Sequence, residues 1–245
     1  MTKLSVNLNK IALLRNQRNI GIPSVTEAAK TVIKAGAYGI TVHPRPDERH
    51  IKYCDVYELA EMMTVEFNIE GNPFLGKYME IVSEVRPNQA TLVPDTPVAN
   101  TSDHGWNLKA DGKKLAPIIK KLKAIGIRVS LFMDADAAGI VTAKKVGADR
   151  VELYTEPYAG AFRADENVDE ILQQYANAAR AAGDAGLGVN AGHDLNLENL
   201  EKFLAEVPGV LEVSIGHALI ADALEMGLYN TVKEYLKVLS KSTGA

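Results

Sequence analysis

A chain of 245 residues with 47% apolar and 24% charged residues is long enough to bury a substantial core and is typical of one soluble α/β domain. Its formal net charge of −4 provides no overall basic surface, which argues against nucleic acid as a principal partner. The one cysteine, Cys54, cannot form an internal disulfide, and no stretch is apolar enough for a signal peptide or a membrane span. We therefore expect a cytoplasmic protein that binds neither nucleic acid nor a membrane.

Eight short β-type runs recur along the chain, with segments of helical period between them. The strands are expected at residues 4–9, 39–43, 66–70, 90–94, 128–133, 150–154, 187–191 and 211–215. Helices expected between them include 24–36, 115–126, 137–148 and 196–207. The segment SVTE at 24–27 has capping-box spacing, and several helices are expected to end near a glycine. Eight strand–helix units without a linker favour a single closed parallel (β/α)8 TIM barrel over residues 1–245, with a doubly wound open sheet as the alternative.

The predicted strands alternate apolar and polar residues, whereas parallel strands covered on both faces are usually continuously apolar. The polar face of the first strand holds Ser5, Asn7 and Asn9. Because the apolar face must meet the helices, the polar face points into the barrel, where it needs hydrogen-bond partners or a ligand. We interpret Glu212, deep in the barrel, as part of a structural network. Polar residues at the C-terminal ends of the strands are interpreted as functional, because barrel active sites lie there.

All five histidines follow or end a predicted strand on its C-terminal side, and none lies within a predicted helix. They are His43, His50, His104, His193 and His217. A structural role in capping helices explains one or two of these positions, but five together indicate a functional cluster at one end of the barrel.

Cations in the loops after the first two predicted strands indicate an anion-binding site. The first loop holds Lys10, Arg15 and Arg18, and the second holds Arg45, Arg49 and His50. Adjacent loops would form a cationic rim on an acidic protein, and arginine offers a planar fork to phosphate oxygens. Arg15 and Arg49 fit the alternative of solvated surface cations well, whereas Arg18 and Arg45 fit both interpretations equally.

A second anion-binding site is indicated by VSIGHALI at 213–220, where a strand runs through Gly216 and His217 into a helix. Backbone N–H groups at a helix N-terminus bind phosphate, and loops after the seventh and eighth strands are the usual phosphate site of this fold. The neighbouring segment VNAGHDL at 189–195 adds Gly192 and His193 to the same region.

Acid–base groups are expected around the same mouth of the barrel, namely His43, Glu70, Glu152 and His193. Such a set can transfer protons at neutral pH. We find no metal-binding, dinucleotide or P-loop motif, and we interpret Asp134 and Asp136 as helix-capping residues rather than metal ligands. The long segment 94–107 is a candidate lid over the site.

Eight segments together carry a resemblance that covers essentially the whole chain. They are SVNLNKIALLRNQR (5–18), GITVHPRPDERHI (39–51), FNIEGNP (67–73), TLVPD (91–95), VSLFMDAD (129–136), VELYT (151–155), VNAGHDL (189–195) and SIGHALI (214–220). These segments resemble the pyridoxine 5′-phosphate synthase family. The resemblance implies a barrel enzyme of the transferase class that closes the pyridine ring of vitamin B6 from two phosphorylated substrates. These are 1-deoxy-D-xylulose 5-phosphate and 3-amino-2-oxopropyl phosphate; inorganic phosphate and water are released. The resemblance also implies a homo-octamer and no metal or organic cofactor.

The resemblance assigns roles to individual residues. It implies proton transfer by His43, Glu70 and His193, and stabilisation of the transition state by Glu152. The substrate-binding residues that it implies are Asn7, Asn9, Lys10, Arg18, Arg45, His50, Thr101, Asp194, Gly216 and His217.

Two departures from the commonest family pattern lie within this set. Asn9 and Lys10 replace a frequent Asp-His pair, and Asp194 replaces a frequent glycine. We expect Lys10 to hold phosphate as a point charge. We expect Asp194 to cap the following helix through its side chain while its backbone N–H faces the ligand.

Two other functions remain open from the residues alone. One is a different phosphosugar barrel enzyme, an isomerase or an aldolase that forms a Schiff base with Lys10. The other is a barrel without catalytic activity that binds a phosphorylated metabolite as a sensor. The presence of all four acid–base groups favours an enzyme over a sensor.

Overall fold

The structure, a computed structural model, describes residues 1–96 and 102–241. Within these ranges, eight parallel strands close into a barrel in the order of the sequence. The strands are β1 (Lys3–Asn7), β2 (Gly39–Val42), β3 (Glu66–Gly71), β4 (Gln89–Leu92), β5 (Arg128–Met133), β6 (Arg150–Tyr154), β7 (Gly188–His193) and β8 (Val210–Ile215). The barrel closes where Lys3 of β1 pairs with Glu212 of β8. The predicted (β/α)8 TIM barrel is confirmed, and an open sheet is excluded.

Eleven helices surround the strands in the described part of the chain. They are α1 (Asn9–Asn16), α2 (Val25–Ala35), α3 (Tyr53–Met62), α4 (Tyr78–Val85), α5 (Leu108–Ala124), α6 (Ala137–Lys145), α7 (Glu156–Ala164), α8 (Val168–Asp184), α9 (Leu200–Glu206), α10 (His217–Met226) and α11 (Leu228–Lys241). The main core lies between this layer and the outward faces of the strands, where Val6, Ile40 and Val213 are fully buried. No helix in this part of the chain combines the length and the hydrophobicity needed to span a bilayer.

The ends of α2 follow the local sequence signals. The side chain of Ser24 accepts a hydrogen bond from the backbone N–H of Glu27 at 3.2 Å, as expected of an N-cap residue. Gly36 ends the helix with φ of 103°, a left-handed conformation that glycine adopts without steric cost. Both predicted ends of this helix are confirmed.

Several predicted element boundaries differ near the site, and two of these differences change where candidate residues lie. The first strand was expected to reach Asn9, but β1 ends at Asn7 and α1 begins at Asn9. The chain turns here because the side-chain oxygen of Asn7 accepts the backbone N–H of Asn9 at 2.9 Å. Lys10 and Arg15 therefore lie on α1 rather than in a loop. His217, expected outside any helix, is the first residue of α10.

The interior of the barrel is polar, as the alternation of the strands predicts. A ladder of hydrogen bonds crosses β1 to β4: Ser5 to Thr41 at 2.7 Å, Asn68 to Thr41 at 3.3 Å, and Thr91 to Asn68 at 3.0 Å. This ladder satisfies groups that would otherwise be costly to bury. Glu212 forms an ion pair with Arg150 at 3.4 Å, which agrees with the structural role expected for it.

Candidate active site

A cavity with a volume of about 280 Å³ opens at the C-terminal ends of the strands. Most of the predicted site residues line it: Asn7, Asn9, Lys10, His43, Arg45, His50, Glu70, Glu152, His193, Asp194, Gly216 and His217. These residues come from six strand ends that are up to 210 positions apart in the chain. The closed barrel brings them together because parallel strands all end at the same face.

Other predicted residues lie elsewhere. Arg18 is exposed beyond the end of α1 and lines a separate surface groove with Arg49. Arg15 lines that groove too, and its guanidinium pairs with Asp55 at 2.5 Å. The interpretation of Arg15 as a solvated cation is wrong, because the side chains of this pair are only 13% and 6% exposed. Thr101 lies outside the described residues, as do residues 97–100 of the candidate lid.

The fifth histidine does not join the cluster. His104 is an exposed residue whose Nδ1 lies 2.6 Å from a carboxylate oxygen of Asp103. His43, His50, His193 and His217 line the cavity, so four of the five histidines share one site. The interpretation of His104 as part of the functional cluster is not supported by this arrangement.

His43 and Glu70 form the centre of the cavity wall. The His43 Nδ1 atom lies 3.9 Å from the Glu70 Oε2 atom, and Asn7 donates a hydrogen bond to that oxygen at 3.4 Å. Burial, followed by the positive charge of Arg45, lowers the pKa of His43 well below its usual value. Burial, followed by the negative charge of Glu152, raises the pKa of Glu70 well above its usual value. The imidazole is therefore neutral at neutral pH, and the carboxyl group keeps its proton to a higher pH than an exposed glutamate does.

Glu152 is a second buried acid, on β6, and is 2% exposed. Burial, followed by the charge of Glu212, raises its pKa to about 8. A side chain at position 192 would displace it, because a Cβ atom on Gly192 would lie 2.7 Å from the Glu152 Oε1 atom. Gly192, in the VNAGH segment, therefore leaves room on β7 for the side chain of Glu152 on β6. Glu152 can offer a neutral hydrogen-bond donor at neutral pH.

His193 ends β7 and adopts φ of 91°, which is unusual for a residue other than glycine. Its Nδ1 atom lies 2.5 Å from the Asp194 Oδ2 atom. The expected capping role of Asp194 is wrong, because its carboxylate contacts this ring and the N-cap position of α9 is occupied by Asn199. The backbone N–H of Asp194, expected to face a ligand, donates to the Thr155 Oγ1 atom at 3.2 Å.

The other side of the cavity is cationic. Arg45 is 4% exposed and pairs with the carboxylate of Asp95. Burial, followed by the charge of Arg45, lowers the pKa of His50 to about 4, so this ring is neutral at neutral pH. The His50 Nδ1 atom accepts the N–H of Ile51 at 2.9 Å, which leaves the proton of the neutral ring on Nε2. With Lys10, these groups provide donors and positive charge for an anion.

The N-terminus of α10 provides a second wall suited to anions. Within the described residues, no side chain caps this helix, so the N–H groups of its first turn are available to a ligand. Gly216 allows the start of α10 to lie close to Asn7, because a Cβ atom at position 216 would lie 3.1 Å from the Asn7 Cβ atom. Gly216 and His217 both line the cavity.

Comparison with known proteins decides the family. A family model described as pyridoxal phosphate biosynthesis protein PdxJ matches residues 4–241. The chain belongs to the PdxJ family. The pyridoxine 5′-phosphate synthase of Albidiferax ferrireducens is 57% identical over 98% of each chain. The enzyme of the same name from Xanthomonas oryzae pv. oryzae is 54% identical over 98% of each chain, and that from Porphyromonas gingivalis is 51% identical over 96% of this chain and 98% of its own. The resemblance is confirmed, and the chain is an enzyme of vitamin B6 biosynthesis.

Several residues of this PdxJ-family site were not predicted as site residues. Ser102, Phe132 and Ser214 line the cavity, and Asp95 holds Arg45 from behind. Asp95 follows β4 by three residues, so the rule applied to the other strand ends could have identified it. Ser102 donates a hydrogen bond to Asp95 at 2.9 Å, a contact that no local pattern indicates.

The structure shows which groups the side chains of Asp134 and Asp136 contact. Asp136 accepts hydrogen bonds from the N–H groups of Ala138 and Gly139, which confirms its capping role. Asp134 accepts the N–H of Gly105 at 2.9 Å and so ties down a loop rather than a helix. Within residues 1–96 and 102–241, no group of three or more histidine, cysteine or acidic residues is placed to hold a metal ion.

Proposed function

We propose that this PdxJ-family enzyme is a pyridoxine 5′-phosphate synthase. It condenses 1-deoxy-D-xylulose 5-phosphate with 3-amino-2-oxopropyl phosphate and releases inorganic phosphate and water. One observation carries the proposal: His43, Glu70, Glu152 and His193 line a single cavity between a cationic wall and a helix N-terminus. Two phosphorylated substrates need two anion sites with acid–base groups between them, and this cavity has that arrangement.

The two walls suggest how the substrates bind. Arg45, His50 and Lys10 would hold the deoxyxylulose phosphate, because they offer a guanidinium fork, an Nε2–H donor and an ammonium charge. Asn7 and Asn9, which line the cavity, are further residues proposed for this substrate, as is Thr101. The role of Arg18 stays a prediction, because Arg18 lines a separate groove. Gly216 and His217, at the start of α10, would receive the phosphate of the amino ketone. Asp194 lines the same cavity and is proposed to lie near the bound substrates.

The proposed reaction requires several proton transfers. The amine adds to a carbonyl carbon, and loss of water gives an imine; elimination then releases phosphate, and an aldol-type closure with loss of water completes the ring. Neutral His43 can accept a proton. Glu70, whose pKa is raised, retains a proton more readily than an exposed glutamate and can donate it, so the two groups can transfer protons in opposite directions. Glu152, neutral below its raised pKa of about 8, can donate a hydrogen bond to an oxygen that develops negative charge.

The deciding experiment supplies the purified protein with both substrates and measures pyridoxine 5′-phosphate by chromatography and mass spectrometry. We expect product and inorganic phosphate in equal amounts, and neither when one substrate is omitted. Absence of product under conditions in which the Albidiferax ferrireducens enzyme produces it would contradict the proposal. His43→Asn, which removes the basic imidazole from the cavity, serves as the inactive control.

The same preparation tests the alternatives. Lys10 lines the cavity, so borohydride treatment in the presence of either substrate tests a Schiff-base aldolase directly. A covalent adduct on Lys10 would favour the aldolase. Calorimetry that shows tight binding of a substrate without any turnover would favour the sensor.

Assembly and location are also part of the proposal, and they rest on the family resemblance. We propose a homo-octamer in the cytoplasm. The thiol of Cys54 is exposed and unbridged, which is compatible with a reducing compartment. Sedimentation velocity on the purified protein tests the octamer, and a monomer or dimer at micromolar concentration would contradict it.

A further inference from the structure

The contact between His193 and Asp194 has the geometry of a catalytic imidazole with its supporting carboxylate. The Asp194 Oδ2 atom lies 2.5 Å from the His193 Nδ1 atom, at the mouth of the cavity. The side chains are 30% and 25% exposed, so the pair is only partly open to solvent. The two atoms are within hydrogen-bond distance, and a hydrogen bond to an ionised carboxylate is stronger than one between neutral groups.

The carboxylate is held in this position by the backbone on both sides of it. The N–H of Asp194 donates to the Thr155 Oγ1 atom at 3.2 Å, and the C=O of Asp194 accepts from the Asn199 Nδ2 atom at 3.2 Å. The Thr155 hydroxyl itself donates to the C=O of Gly192. Thr155, 39 residues away, and Asn199, five residues away, thus fix the backbone that presents the carboxylate to the ring.

The backbone of His193 also directs the ring towards this partner. Its φ of 91° lies in a region that residues other than glycine rarely adopt, so the surrounding structure must hold it there. The ring packs edge-on against Tyr154, with 5.9 Å between the ring centroids. The backbone conformation and the contact with Tyr154 therefore both constrain where the imidazole lies.

The contact determines which ring nitrogen carries the proton. An ionised carboxylate only accepts hydrogen bonds, so the His193 Nδ1 atom must carry hydrogen when it contacts Asp194. The neutral ring then has an unprotonated Nε2 atom, which is the atom able to accept a proton. When Nε2 takes up a proton, the adjacent carboxylate stabilises the resulting imidazolium without becoming protonated itself.

We infer that Asp194 is a positioning residue, which fixes His193 in the Nδ1–H tautomer so that Nε2 exchanges protons with the substrate. The inference rests on the proposed synthase function and on the proton-transfer role of His193 within it. It gives a purpose to an acidic residue in a cavity for phosphorylated substrates, where an unpaired carboxylate would repel both of them.

The first test reads the tautomer without any substrate. Solid-state NMR of protein labelled with ¹⁵N-histidine, at pH 8.5 where ordinary imidazoles are neutral, separates a protonated from an unprotonated ring nitrogen. His193→Gln assigns the resonances. We expect the Nδ1–H tautomer in the wild type and a shift towards Nε2–H in Asp194→Gly. A wild-type ring in the Nε2–H form, or the same tautomer in both proteins, would overturn the inference.

The second test separates positioning from folding and from substrate binding. We expect Asp194→Asn to lower kcat by about 10- to 100-fold, with the KM for each substrate changed by less than about threefold. Asp194→Glu should recover part of the loss, because it restores a carboxylate near the ring. The matched control is Asp169→Asn, which removes an exposed carboxylate that pairs with Lys202 at 2.8 Å on the outer helices.

The outcomes distinguish this inference from the proposed function. If the wild type forms pyridoxine 5′-phosphate and Asp194→Asn retains the full kcat, the function stands and the positioning role is wrong. If no product forms with the wild type, the synthase proposal fails, whereas the NMR result still decides whether Asp194 sets the tautomer. Thermal melting of each variant verifies that the loss of activity is not a loss of folding.

Discussion

His43 and Glu70 lie on neighbouring strand ends, with 3.9 Å between the Nδ1 atom of the ring and the Oε2 atom of the carboxyl group. Val42 of β2 pairs with Ile69 of β3 in the parallel ladder, so the residues that follow both point into the barrel. Burial acts on the two groups in opposite directions, because it disfavours whichever form is charged. Burial thus favours the neutral form of both groups, a base beside an acid.

Substitution of Glu70 tests its proposed role as a proton donor. We expect Glu70→Gln to fold normally, because burial favours the neutral form of Glu70 and an amide is neutral and has nearly the shape of a carboxyl group. Turnover should fall by at least about 100-fold, since the amide cannot donate a proton to the substrate. Steady-state synthase assays measure the loss. Glu61→Gln, which changes an exposed glutamate on α3, is the control and should keep full activity. Full activity in Glu70→Gln would remove the assigned role.

The raised pKa of Glu152 predicts a specific pH dependence of stability. The folded protein retains this proton up to pH of about 8, whereas the unfolded chain releases it near the usual value of 4.5. The folded state therefore binds more protons between these values, and the free energy of unfolding falls as the pH rises through this window.

Glu152→Gln removes that contribution. We expect the variant to gain stability relative to the wild type as the pH rises from 5 to 9, and urea denaturation at pH 5, 7 and 9 measures the difference. The charge of Glu152 also raises the pKa of Glu70, so the same comparison is repeated in a Glu70→Gln background, which removes this second titration. A stability difference that stays constant over this pH range would show that Glu152 is not buried as a neutral acid.

The buried pair of Arg45 and Asp95 predicts a selective effect on one substrate. We expect Arg45→Gln to raise the KM for the deoxyxylulose phosphate by at least about tenfold and to leave the KM for the amino ketone nearly unchanged. Arg163→Gln removes an arginine of similar charge that is exposed on α7, and it should change neither constant. Equal increases in both KM values for Arg45→Gln would contradict the assignment of the two walls.

A side chain at position 192 is expected to clash with the site. In Gly192→Ala the new Cβ atom would lie 2.7 Å from the Glu152 Oε1 atom and 2.9 Å from the C=O oxygen of Ser214. Because a strand backbone cannot give way easily, we expect a loss of about 1–3 kcal/mol in the free energy of unfolding together with a loss of turnover. Gly183→Ala is the control: its Cβ atom would meet nothing within 4 Å, on helix α8. It should leave stability unchanged or raise it by up to about 1 kcal/mol, as thermal and urea unfolding will measure.

The sequence predicted the barrel because its strand signal is local. Ser5 and Thr41 are polar residues between apolar ones, and their period of two assigns each residue to a face without reference to the rest of the chain. Helix ends such as Ser24 and Gly36 are local in the same sense, since a cap uses groups within a few residues. These strand assignments also placed His43, His50, His193 and His217 at or just after the ends of strands, where four histidines line the cavity.

Contacts between distant segments could not be obtained in this way. Arg15 pairs with Asp55, which is 40 residues away, so nothing near Arg15 distinguished an ion pair from a solvated cation. Asn9 was assigned to a strand by its alternation, but the hydrogen bond to Asn7 starts a helix there. The contact of Asp194 with His193 was missed although the two are adjacent, because it depends on an unusual φ that the rest of the barrel imposes.

The sequence by itself determined the period of each strand, the apolar and polar faces, and the kinds of chemical group that would stand at one end of the barrel. Only the tertiary structure decided which of these groups meet, which face outward, and which protons they hold at neutral pH. The physical reason is that hydrophobic periodicity acts over a few residues, whereas ring closure, burial and electrostatic interaction depend on neighbours far along the chain.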